Sequence, residues 1–137
     1  MKRAYHGSCH CGAVRFECDL DLAAGTSRCN CSICTKGRFW KAIARAADFR
    51  LLQGEDALAD YRFMGAAGGT IHHRFCRHCG VKLFGRGEME ALGGVFYAVN
   101  LGCLDDATAA ELAEAPVAFE DGRADRWDRP PAETRHL

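Results

Sequence analysis

A mainly β fold of antiparallel sheets, with one short helix near the C-terminus, is predicted by three features of this 137-residue chain. Short segments of strand-like pattern recur at close spacing, glycine turns separate them, and only one stretch carries helix signals. The first segment, "AVRFEC" at 13–18, alternates: Val14 and Phe16 share one face, Arg15 and Glu17 the other. "RFWKAIA" at 38–44, "FRLLQG" at 49–54, "ADYRFM" at 59–64, "TIHHRFC" at 70–76, "VKLFGRG" at 81–87 and "GVFYAVNLG" at 94–102 follow. Gly54, Gly65, Gly68–Gly69, Gly80 and Gly93–Gly94 mark the turns between them. The helix is "DDATAAELAEA" at 105–115, where Asp105 or Asp106 is placed to cap the N-terminus and Pro116 follows the end. The tail "RWDRPPAETRHL" reads as a surface arm pinned by Trp127. One domain over 1–137 is expected, with its motifs in about 5–106 and a C-terminal arm over 116–137.

Composition narrows the function classes. Hydrophobic residues make up 48% and charged residues 26%, as in an ordinary globular domain. No apolar run is long enough to span a bilayer, so no membrane role is expected. "MKRAYHGSCHCG" lacks the apolar stretch of a secretory signal, and the expectation is a cytoplasmic, reducing setting. Cysteines there bind metal or do chemistry more often than they form disulfides. Net charge is zero but unevenly spread. Residues 1–50 carry nine Lys/Arg against four Asp/Glu, and residues 104–137 carry four against nine. Two faces that attract each other on folding explain this; a basic rim drawing in an anionic ligand is the sharper reading. Without a long basic stripe, nucleic acid is not an expected partner.

Seven of the nine cysteines fall into three clusters. Cys9 and Cys11 form C-x-C, Cys29, Cys31 and Cys34 form C-x-C-x-x-C, and Cys76 and Cys79 form C-x-x-C. Zinc favours thiolates in tetrahedral arrays, and paired cysteines on a tight turn present two sulfurs to one ion. Cys9, Cys11, Cys76 and Cys79 would then close a structural site. Cys29, Cys31 and Cys34 would supply three ligands and leave a fourth place open, as at a catalytic zinc. A second closed site, with Cys103, Cys18 or a histidine as fourth donor, is the alternative. Cys18 and Cys103 sit in strand-like runs and suit small buried side chains better. His72 and His73 point to opposite faces of one strand, so at most one can aim at any site. His10 and His78 lie inside the metal turns, and His6 and His136 lie near the termini. The fourth place would then belong to water or to a substrate atom. Lys36, Arg38 and Lys41 follow the trio and suit a small anionic ligand, and Ser32 can support a sulfur by hydrogen bond.

"GSCHCGAVRF" at 7–16, "CNCSICTKG" at 29–37, "FCRHCGVKLF" at 75–84 and "AVNLGCLDD" at 98–106 resemble the glutathione-dependent formaldehyde-activating enzyme family, which includes centromere protein V-like domains. The resemblance covers most of residues 5–106. It implies a zinc-containing Mss4-like, or β-tent, fold. It implies a structural zinc at Cys9, Cys11, Cys76 and Cys79 and a catalytic zinc at Cys29, Cys31 and Cys34. The activity it implies joins formaldehyde to glutathione as S-hydroxymethylglutathione, a carbon–sulfur lyase reaction. "PVAFEDGRADRWDRPP" matches less well, with Trp127 alone recognisable and the family's usual histidine-bearing strand missing. A zinc-stabilised binding module with two structural metal sites is the rival reading, and the fourth ligand at the trio separates the two.

Overall fold

The computed structural model describes residues 1–65 and 69–137. It is mainly β, with two sheets and few short helices. In chain order the elements are β1 (Arg3–Ser8), β2 (Arg15–Leu20), β3 (Thr26–Cys29), α1 (Ser32–Gly37), β4 (Trp40–Arg45), β5 (Phe49–Gln53), β6 (Leu58–Tyr61), β7 (His72–Cys76), β8 (Lys82–Met89), β9 (Gly94–Asn100), α2 (Ala109–Glu114) and β10 (Val117–Glu120). The smaller sheet has the order β1-β2-β5, and the larger one β10-β3-β4-β9-β8-β7-β6.

Apolar side chains close the space between the sheets. Phe16 and Phe49 come from the small sheet, and Phe84 and Tyr97 from the large one. Phe49 stacks on Tyr97 at 4.1 Å between ring centroids and lies 5.4 Å from Phe16. Phe16, Val14, Leu83 and Val99 are wholly buried in the same core, as is Cys18. The alternation in "AVRFEC" thus does the work it predicts, placing Val14, Phe16 and Cys18 inward.

Three features depart from the expected architecture. β10 runs parallel to β3, so the large sheet is not purely antiparallel and the tail opens with a strand. The cysteine trio sits on the end of β3 and the start of α1, a second helix where only one was expected, and Ser32 is the first helical residue. The C-terminal helix is capped by Thr108, with Glu111 closing a capping box. Asp105 and Asp106 are occupied elsewhere: Ser8 Oγ donates to Asp105, and the His6 backbone N–H donates to Asp106 at 2.9 Å. Of the Gly68–Gly69 turn, Gly68 lies outside the described residues.

Glu111 also ties α2 to β1. It accepts from Arg3 Nε and Nη2 at 3.0 Å each and from Tyr5 Oη at 2.9 Å. These bonds, Arg3's first, hold its carboxyl down to about 2, against an ordinary 4.5. A depressed carboxyl stabilises the fold above the unfolded value and loses that contribution as pH falls through the folded one. The melting-temperature gap between wild type and Glu111→Gln is therefore expected to be full at pH 6 and to close between about pH 4.5 and pH 2. Thermal melts across that range check it.

Candidate metal centre and substrate site

Two turns build the four-cysteine array. Cys9-His10-Cys11-Gly12 bends so that Gly12 N–H donates to the Cys9 carbonyl at 3.1 Å, and Gly80 N–H donates to the Cys76 carbonyl at 2.8 Å. Both glycines need positive φ, +79° and +78°, which a side chain would resist. Folding brings the turns together from opposite ends of the motif region, and all four sulfurs lie within 4.8 Å of one another. Four sulfurs held about 2.3 Å from zinc stand about 3.8 Å apart. Cys11 Sγ is 3.7 Å from both Cys9 Sγ and Cys76 Sγ, so the array fits that ion. Backbone amides also aim at the sulfurs. Val14 N–H donates to Cys9 at 3.3 Å and His78 N–H to Cys76 at 3.4 Å. Amides of Cys11 and Val81 pull the Cys79 thiol down to about 6, favouring the thiolate that metal needs.

Cys29, Cys31 and Cys34 form a second array, also within 4.8 Å. Cys29 ends β3 and is buried; Cys31 precedes the first turn of α1 and Cys34 lies within it. Cys31 N–H donates to Cys29 Sγ at 3.3 Å. The Cys31 thiol is held far below its ordinary value by hydrogen bonds from the Cys29 and Cys34 thiols, while the same contacts hold Cys34 far above. No fourth Cys, His, Asp or Glu joins this group among the described residues. Cys18 lies in the core, and Cys103 donates instead to the Lys82 carbonyl at 3.4 Å. The two arrays are compatible with zinc, one with four protein ligands and one with three.

The tail stitches the trio in place, which the sequence did not reveal. Asn30 donates through Nδ2 to Asp121 at 2.8 Å and accepts at Oδ1 from Arg123 N–H at 2.9 Å. A Cβ at Gly122 would meet both Cys29 Sγ and the Trp127 ring at 2.5 Å, so only glycine admits this approach. Trp127 therefore does pack against the body, beside Cys29, although it stays 47% exposed.

The three expected anchoring cations are divided. Lys41, on β4, lies close enough for its charge to favour the thiolates of Cys31 and Cys34, but its Nζ is paired to Glu120 on β10 at 2.7 Å. Lys36 and Arg38 are exposed at the end of α1, and Arg38 reaches the Leu137 backbone oxygen at 3.4 Å. His73 and Lys82 were not expected as a pair. His73, Gly85, Ala98 and Ile43 occupy one row across β7, β8, β9 and β4. Ala98 packs there with Phe39 and Phe96, and Cys34 packs against that cluster. Lys82 Nζ donates to His73 Nδ1 at 2.8 Å and stands 3.9 Å from the Phe39 ring centroid. Burial, and then the Lys82 charge, push His73 down to about 4, so its ring is neutral and able to accept. Phe63 stacks on His73 at 5.5 Å. The other histidine of the pair, His72, bonds Asp60 on the opposite face.

Known proteins resemble this chain in sequence and in fold. Residues 4–119 match the family model described as "Glutathione-dependent formaldehyde-activating enzyme". A crystal structure of a Rhodobacter sphaeroides protein is similar to this chain with a TM-score of 0.66 and 32% identity, over 82% of this chain and 99% of that one.

Proposed function

The chain belongs to the glutathione-dependent formaldehyde-activating enzyme family, and on that premise we propose that it joins a small thiol of the glutathione type to an aldehyde of the formaldehyde type. The product is an S-hydroxymethyl adduct. The thiol sulfur sheds its proton and bonds to the carbonyl carbon, and the carbonyl oxygen takes up a proton. This is a carbon–sulfur lyase reaction read in the direction of addition.

Cys9, Cys11, Cys76 and Cys79 hold a structural zinc in this reading, and Cys29, Cys31 and Cys34 hold a second, catalytic one. Zinc at the trio would supply a Lewis acid that lets a thiol exist as thiolate near neutral pH. The residues of the chain do the rest. α1 and β3 hold the three sulfurs together, and Asn30 ties the segment between them to the tail. Lys41 adds positive charge close by, while Lys36 and Arg38, at the rim, bind substrate carboxylates from solvent. The observation that carries the reading is the three-sulfur array with no fourth protein ligand among the described residues. A cytoplasmic, reducing setting keeps these thiols available.

Calorimetry on the zinc-loaded protein tests it. Glutathione is expected to bind, more weakly as salt rises. S-methylglutathione, which has no thiol to ionise, is expected to bind poorly. Changing Lys36 and Arg38 together to Ala should weaken glutathione binding without loss of zinc. Equal binding of the two ligands would show that the sulfur does not reach the trio.

A further inference from the structure

Lys82 is a half-buried cation whose one side-chain hydrogen bond among the described residues goes to His73, not to a carboxylate. Its ammonium donates to the neutral His73 ring at 2.8 Å and faces the Phe39 ring at 3.9 Å. Neither partner carries a negative charge. Burial disfavours the ammonium, and the opposing influences are the charges of Cys34 and Cys31, ahead of the like charge of Lys41. A buried charge persists only with a counter-charge. Cys34 packs against the cluster that contains Phe39, the ring Lys82 faces, so the cysteine trio is the source of negative charge on this side of the ammonium. Three thiolates around a divalent ion leave the site one negative charge, which a single ammonium balances.

The backbone holds Lys82 at this place. Asn100 donates through Nδ2 to the Lys82 carbonyl at 2.7 Å, Cys103 donates to the same oxygen, and Asn100 Oδ1 accepts from Gly102 N–H at 3.1 Å. Two turns' worth of contacts thus fix the start of β8. His73 occupies one of the three ammonium N–H groups. The other two have no hydrogen-bond partner among the described residues.

We propose that Lys82 is a further catalytic residue of this site, its ammonium donating a hydrogen bond to the aldehyde oxygen as that oxygen becomes an alkoxide, with His73 as the residue that positions it. The inference rests on the thiol–aldehyde reading given above. The balance is simple. As the sulfur lone pair forms the C–S bond, the C=O π pair moves to oxygen. A preorganised donor stabilises the charge that develops there. The proton that the oxygen finally keeps is the one the thiol released, passed through solvent, so Lys82 begins and ends as an ammonium. The neutral His73 ring accepts one N–H and so orients the remaining two.

Two measurements test it on the zinc-loaded full chain, using Lys82→Met and, should that variant lose zinc or cooperative melting, Lys82→Gln. Exchange NMR follows formaldehyde and glutathione entering the adduct. The wild type is expected to accelerate exchange over buffer. The Lys82 variant is expected to lose most of that acceleration, up to ~100-fold where the wild-type enhancement is that large. Calorimetry gives a readout free of turnover. Affinity for glutathione premixed with formaldehyde should fall about tenfold more than affinity for glutathione alone, because only the adduct carries the oxygen. His73→Phe should reproduce part of both losses, and His73→Gln, which keeps an acceptor, should restore them. If the wild type accelerates and Lys82→Met matches it, the role of Lys82 is overturned while the thiol–aldehyde reading stands. If the wild type gives no acceleration, both fall.

Discussion

Cys76→Ser is expected to leave no cooperatively folding protein. Cys76 is wholly buried, lies at the end of β7, and shares its sulfur array with a turn 65 residues earlier in the chain. That array joins the β1–β2 turn of the small sheet to the β7–β8 turn of the large one. A chain of this size has a modest core, and ~10 kcal/mol or more of folding free energy can reside in a structural zinc. Ordinary domains are stable by about 5–15 kcal/mol, so loss of the metal exceeds or consumes the margin. Serine keeps the size of the side chain but not the thiolate, so the effect isolates metal binding from packing. Circular dichroism and calorimetric melts of Cys76→Ser, with Cys9→Ser beside it, check this. Near-wild-type cooperative melting in either would remove the structural role from the array.

Cys31→Ala is expected to behave differently: a folded chain with about one zinc equivalent fewer and no measurable acceleration of adduct formation. Cys31 is half-buried at the start of α1, outside the main core, and a helix of six residues on the sheet surface contributes little to global stability. Two remaining sulfurs hold zinc far less tightly than three. Hydrogen bonds from Cys29 and Cys34 also favour the thiolate at Cys31. Metal analysis and melting of the purified variant separate the outcomes. Unchanged zinc content would show that the trio is not a metal site.

Much of the fold was legible because local pattern and burial agree. "AVRFEC" places its odd-even faces correctly, and Gly80 sits where its metal turn demands left-handed backbone. Three short strands were not legible. β1, β3 and β10 have weak alternation, and β10 is a strand only because β3 pairs with it in parallel from 91 residues away. That distant pairing also brings Glu120 to Lys41, which explains why a lysine adjacent to the trio in sequence is already engaged. The Asp105 and Asp106 caps failed for a similar reason, since Ser8 and His6 claim those carboxylates across the fold.

The site shows the same division. Spacing located every sulfur and grouped the seven cysteines as the fold groups them. It also separated Cys18 and Cys103 as core residues. The Lys82–His73 pair escaped because it depends on register. A shift between Arg74 and Phe75 sets how β7 and β8 face each other, and single-strand alternation carries no information about it. The one available signal was the opposed placement of His72 and His73, which tells that one of them faces inward without saying toward what.

Cobalt(II) substitution at the three-cysteine array reports its fourth ligand most directly. Sulfur-to-cobalt charge transfer scales with the number of thiolates, and the four-cysteine array contributes a constant background. The account predicts that glutathione adds charge-transfer intensity equivalent to one new sulfur, that S-methylglutathione adds none, and that the Cys31→Ala chain responds to neither. A spectrum that is unchanged by glutathione, or that already shows four sulfurs at the trio before any thiol is added, would contradict it.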